Sequence, residues 1–112
     1  MKKTLVLMLL LVLLFSTVVY AATTAVGTPV LTFSGTKATC KITVIQSGKP
    51  INVTLSLYQG STLVDSWSKS GTSTVKIEEK SDVNHGVTYR LEASGTINGV
   101  PFTATPTTGT CP

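Results

Sequence analysis

His85 is the chain's one histidine, and it sits in Val83-Asn84-His85-Gly86, a segment of turn composition. An imidazole there could serve as a general base if a nucleophile and an orienting carboxylate converged on it. Asp82 is the nearest carboxylate in sequence, but no nucleophile motif accompanies the pair. A solvent-facing turn histidine explains the residue without chemistry. Glu78-Glu79 offers two carboxylates, yet neighbours on a strand point to opposite faces and cannot act on one bond. No phosphate-cradling glycine loop, metal-ligand spacing or nucleophile elbow occurs. The reading is therefore of a non-enzyme: no catalytic residues, no metal ligands and no cofactor.

Two features remain that could matter chemically. Cys40 and Cys111 are the only cysteines. Metal binding would need more ligands, and redox catalysis would favour a close pair, so a structural disulfide is expected. Closing a loop of about 70 residues would contribute roughly 4 kcal/mol in the chain-entropy account. The second feature is aromatic. A two-residue Gly60-Ser61 hairpin places Tyr58 opposite Leu63 and Thr54 opposite Trp67. Tyr58, Leu63 and Trp67 then share an outer face that could stack on a sugar ring or dock a partner. If the turn differs by one residue, Trp67 instead packs in the core and Asp65 is buried, at a cost of several kcal/mol unless it finds a partner.

The compartment bears on the cysteines. Lys2 and Lys3 precede an apolar run over residues 4–19, and Val19-Tyr20-Ala21 follows. This is the layout of a secretory signal peptide over residues 1–21, with cleavage expected after Ala21. The run is short for a helix that must cross about 30 Å of hydrocarbon, and an uncleaved anchor is the alternative. The first cysteine lies too far along for a lipid anchor. Export favours disulfides. Removing Lys2 and Lys3 also lowers the net charge from +4 to +2. The remaining basic residues are scattered among acidic ones, so no basic face for nucleic acid is expected. Any membrane contact would run through an uncleaved leader.

The rest of the chain must position these residues, and it reads as strands. Ala38, Cys40, Ile42 and Val44 alternate with Thr39, Lys41 and Thr43. Turn residues interrupt at 46–50. Ile51, Val53, Leu55 and Leu57 then face inward against Asn52, Thr54, Ser56 and Tyr58. Weaker strands come next over 63–69 and 75–79, with a turn at 70–73. Val87, Tyr89, Leu91, Ala93 and Gly95 line one side of the next strand. Asn98-Gly99 is a strong hairpin signal; pairing outward sets Ile97 opposite Val100, Gly95 opposite Phe102 and Ala93 opposite Ala104. Pro101 marks that strand as an edge. Residues 22–29 and 106–112 lack alternation and read as extended arms. Asn52-Val53-Thr54 is a glycosylation sequon, at best an edge site.

With a first strand at 30–33, this gives seven short strands and an all-β, antiparallel sandwich over residues 30–112. Gly86-Val87-Thr88-Tyr89-Arg90-Leu91-Glu92-Ala93 resembles the penultimate strand of fibronectin type III and immunoglobulin-like domains. The resemblance implies that Tyr89 folds back to hydrogen-bond the preceding corner, shaped by Val83 and Gly86. Leu91 stands where the antibody pattern has its second cysteine, and Trp67 falls a strand later than that pattern's tryptophan, so antigen-type recognition does not carry over. The whole chain also resembles small uncharacterised exported proteins of Gram-positive bacteria. The expectation is a secreted, non-enzymatic binding or cell-surface module. The partner is not specified by the sequence; a cell-surface glycan or protein is the candidate, and nucleic acid is not expected. The alternative is a secreted antimicrobial or toxin-like factor, which the modest charge and missing amphipathic helix disfavour.

Overall fold

The computed structural model describes residues 25–112, and the expected signal segment, residues 1–21, lies outside them. The described residues are all-β and antiparallel, with no helix. Seven elements succeed one another: β1 (Ala25–Val26), β2 (Val30–Ser34), β3 (Lys37–Gln59), β4 (Thr62–Asp82), β5 (Thr88–Ile97), β6 (Val100–Thr103) and β7 (Thr107–Thr110).

Their layout departs from seven short strands. The turns expected at 46–50 and 70–73 do not end strands; four expected strands are fused into two long ones. Both turn segments are present as distortions. The β3–β4 ladder loses register between Gln46 and Pro50. Gly48 and Ser73 each take a positive φ near +70° there, and Gly48 N donates to Ser73 Oγ at 2.9 Å. The two turn-prone segments lie opposite each other in the ladder. Each therefore distorts without releasing the other, and the hairpin stays paired through both.

Each half of β3 has its own neighbours. Residues 37–46 lie between the second half of β4 and β2 with β1. Residues 50–59 lie between the first half of β4 and β5. One hydrophobic cluster nonetheless collects the inward residues of both halves, including Ala38, Ile42 and Val44 with Val53, Leu55 and Leu57. The alternation that predicted these faces holds at every one of those positions, because burial on one face of a strand fixes its side-chain phase.

The β5–β6 hairpin has the expected register. Asn98 and Gly99 take φ of +51° and +77°, as a two-residue turn of this kind requires. Ile97 pairs with Val100 and Gly95 with Phe102, and Ala104 N donates to Ala93 O at 3.0 Å. A Cβ on Gly95 would lie 1.9 Å from Asn52 O, so only glycine permits β5 to approach β3 there. The segments read as arms are not free of the sheet. Ala25–Val26 pairs with Ile45 and Val44, and Thr107–Thr110 pairs with β5 over residues 88–91. Ala25-Val26 is too short to show alternation and Thr-Thr-Gly-Thr at 107–110 carries no apolar signal, yet their backbones pair with the sheet.

Candidate functional site

Whether Tyr58, Leu63 and Trp67 form one patch depends on the β3–β4 turn. Gly60 supplies the positive φ, and Tyr58 does pair with Leu63. The next pair is Leu57 with Asp65, not Leu57 with Val64. Val64 is an extra residue, a bulge one step from the turn, and it reverses the facing of everything after it on β4. Trp67 therefore stands opposite Leu55 instead of Thr54, half-buried against the core. The expected three-residue face is thus divided: Tyr58 and Leu63 remain at the hairpin tip, and Trp67 turns to the other side.

The bulge also turns Asp65 inward. Its carboxylate is not left alone: Ser81 Oγ donates to it at 3.2 Å and Ser66 N at 3.0 Å. The Asp65–Ser81 contact ties the two halves of β4 to each other. The same carboxylate lies near Cys40. Burial, with a smaller contribution from Asp65, pushes the Cys40 thiol up to about 11. The expected bridge is absent: Cys40 and Cys111 are two free, fully buried thiols. Cys40 stands opposite Leu31, whereas Cys111 Sγ donates to Gly35 O at 3.3 Å, beside the β2–β3 turn.

At the tip, Arg90 is the register partner of Tyr58, and its guanidinium lies 5.0 Å over the Tyr58 ring. Arg90 Nε also donates to Glu92 Oε1 at 2.8 Å, which fixes the plane of the cation. An aromatic face held by a cation is a stable platform worth about 0.5–1 kcal/mol at an exposed site. Leu63, 53% exposed, and Val64, 37% exposed, extend it with apolar surface. Arg90 was not singled out from sequence. Its place opposite Tyr58 is a matter of register alone, which a single chain does not announce.

Trp67 instead borders an open groove of about 420 Å³, lined by Ser68, Lys69, Lys76, Ile77, Glu78 and Glu79 as well. The groove runs between the two halves of β4. Lys69 Nζ crosses it to donate to Lys76 O at 3.1 Å. On the outer face Glu78 meets Lys41 at 3.0 Å, and that hydrogen-bonded ammonium, with Lys76 and Lys80 beyond, holds the Glu78 carboxyl below the usual range.

The remaining candidates scatter. His85 Nδ1 lies 2.6 Å from Pro112 O, while Asp82 pairs with Lys37, so the two do not form a catalytic couple. Among the described residues no three His, Cys, Asp or Glu side chains gather as a metal site. The sequon's Asn52 lies on a strand with neighbours on both sides, not at an edge. Its amide donates to Thr96 Oγ1 and accepts from Ser70 Oγ. The corner tyrosine is as expected: Tyr89 is buried, and its hydroxyl accepts from Asn84 N at 2.9 Å.

No protein-family model matches the chain, and no curated protein sequence does. Several solved structures are similar in fold, two of them as follows. OgpA from Akkermansia muciniphila superposes with a TM-score of 0.55 at 16% identity, over 78% of this chain and 28% of that one. The sensor domain of the anti-sigma factor RsgI4 in Pseudobacteroides cellulosolvens gives 0.52 at 20% identity, over 79% of this chain and 86% of that one. The chain thus spans little more than a quarter of OgpA and most of the RsgI4 sensor domain.

Proposed function

We propose that this chain is a secreted, non-enzymatic β-sandwich of the fibronectin type III or immunoglobulin-like kind, serving as a binding or cell-surface interaction module. The fold reading rests on strand partners. β2, residues 37–46 and residues 73–82 form one set; residues 62–72, residues 50–59, β5 and β6 form the other. A long hairpin folded at its register break would set the two groups face to face, and the single hydrophobic cluster that both halves share supports that reading. The Tyr89 corner hydrogen bond belongs with that arrangement. Export rests on the leader at residues 1–21.

The observation that carries the binding role is the hairpin tip, where Arg90 clamps the Tyr58 ring beside exposed Leu63 and Val64. Rigid aromatic surface with adjoining apolar side chains suits a sugar ring or a protein loop. A neighbour of domain size being a sensor domain accords with recognition. The test is binding of the secreted protein to cell-wall glycans and to cell surfaces, with Tyr58→Ala and Leu63→Ser beside it. Both variants should lose at least about tenfold in affinity, equal to about 1.4 kcal/mol, while staying folded at the assay temperature; Tyr58→Ala should melt a few degrees lower because it also loses the Arg90 contact. Undiminished binding by both moves the site elsewhere. Intact mass of the secreted form should begin at Ala22; a retained leader would replace secretion with anchoring.

A further inference from the structure

The outer side of β4 takes no other strand among the described residues, so the backbone groups on that side face solvent. From residue 76 onward the outward side chains alternate in charge: Lys76, Glu78, Lys80, Asp82. On the β3 side the acids already have cations, Lys41 for Glu78 and Lys37 for Asp82. The lysines do not have matching acids: Lys76 stands opposite Thr43 and Lys80 opposite Thr39. Lys76 reaches only its strand neighbour Glu78, at 3.9 Å, and Lys80 makes no ion pair among the described residues.

A strand that reads plus, minus, plus, minus along one face is complementary to itself when reversed. Laid antiparallel on a second copy about a twofold axis at Glu79, Lys76 meets Asp82 and Glu78 meets Lys80, each twice. Shifting the pairing by two residues about Glu78 would set Lys76 on Lys80 and Glu78 on its own copy, which like charges oppose. The backbone phase also agrees. Lys76 O points away from β3, since Lys69 Nζ reaches it across the groove. Alternate residues on a strand share that direction, so 76, 78, 80 and 82 all present their N–H and C=O groups to the open side.

We propose that residues 76–82 of β4 pair antiparallel with the same segment of a second copy of this chain, extending the sheet across a symmetric dimer. Such an isologous contact closes on itself and does not propagate. Its seven-residue ladder is small, so the dimer is weak and salt-sensitive. Lys69 guards the edge: its ammonium occupies the Lys76 carbonyl that the partner strand needs and must swing away first. Glu79 meets its own copy on the opposite face, in the open groove, where water screens the pair.

Sedimentation velocity over a wide concentration range tests this, run at low and high salt. The wild type should dimerise at low salt. Glu78→Lys and Lys80→Glu each place like charges opposite one another and should weaken self-association at least about tenfold. Mixing these two variants should give a heterodimer, and the double variant should recover homodimers, since both restore opposite charges. Lys69→Ala should tighten the dimer. A wild type that stays monomeric at the highest concentration overturns the proposal, as does a Lys80→Glu variant that dimerises like the wild type. Melting curves of each variant separate lost association from lost folding.

Discussion

Tyr89→Phe removes one oxygen and nothing else, which makes it the sharpest probe of how the corner before β5 is held. The ring is 2% exposed and packs 6.2 Å, centroid to centroid, from Phe33, contacts that phenylalanine keeps. What disappears is the acceptor for Asn84 N at 2.9 Å. That bond locks a corner also tied by Val83 N to Thr36 O and by Gly86 N to Cys111 O. A neutral hydrogen bond contributes about 0.5–1.5 kcal/mol net, and an orphaned buried donor costs about 1–3 kcal/mol. Asn84 is itself exposed, so water can reach part of its N–H, and the expected loss is about 1.5 kcal/mol. In a domain this small, that lowers the melting temperature by about 6–12 °C. Urea unfolding should show a lower midpoint with an unchanged slope. Tyr58→Phe is the control: no protein group among the described residues hydrogen-bonds its hydroxyl, so it should stay within about 0.5 kcal/mol of wild type. If Tyr89→Phe unfolds together with the control, the corner does not depend on this hydroxyl and the argument fails.

Gly95→Ala should cost at least about 3 kcal/mol or prevent folding, because its Cβ would sit 1.9 Å from Asn52 O in paired backbone; circular dichroism melts decide. Ser81→Ala should cost about 1 kcal/mol by taking one donor from half-buried Asp65, and a double-mutant cycle with Asp65→Ala should return a coupling of about 0.5 kcal/mol or more. Zero coupling would remove that tie between the halves of β4. The Cys40 thiol, raised from 9.0 to about 11, favours the neutral form in the fold. Its unfolded counterpart ionises first, so the contribution is intact below pH 9 and is lost as pH rises towards 11. Cys40→Ala should therefore show a shallower fall in stability across that window, and identical slopes would contradict the assignment.

Legibility differed from place to place for physical reasons. The inward faces of 38–44, 51–57 and 89–97 could be read because burial imposes a period of two on apolar residues. Asn98-Gly99 could be read because its turn demands positive φ at both positions. The Tyr89 corner came from resemblance, and its hydrogen bond agrees. Val64 could not be read: a bulge adds a residue with no compositional mark, and it alone moves Trp67 off the face of Tyr58 and Leu63. Asp65 looked too costly to turn inward because its donor, Ser81, is sixteen residues away. The strands at 25–26 and 107–110 are held through backbone pairing, which leaves little trace in side-chain pattern.

The fused β3–β4 hairpin also has a consequence for assembly in time. One local turn at Gly60-Ser61 aligns strands that serve both halves of the sheet, so a large share of the ladder can zip from a single closing event. The β2–β3 hairpin closes locally through Gly35-Thr36, and the distant pairing, β5 onto β3, then adds to an edge that already exists. All-β domains usually fold slowly because loop entropy must be lost before remote contacts form. Here the order of events is written into the connectivity: once Asp82 has emerged, the chain holds a complete template, and the later strands have only to dock.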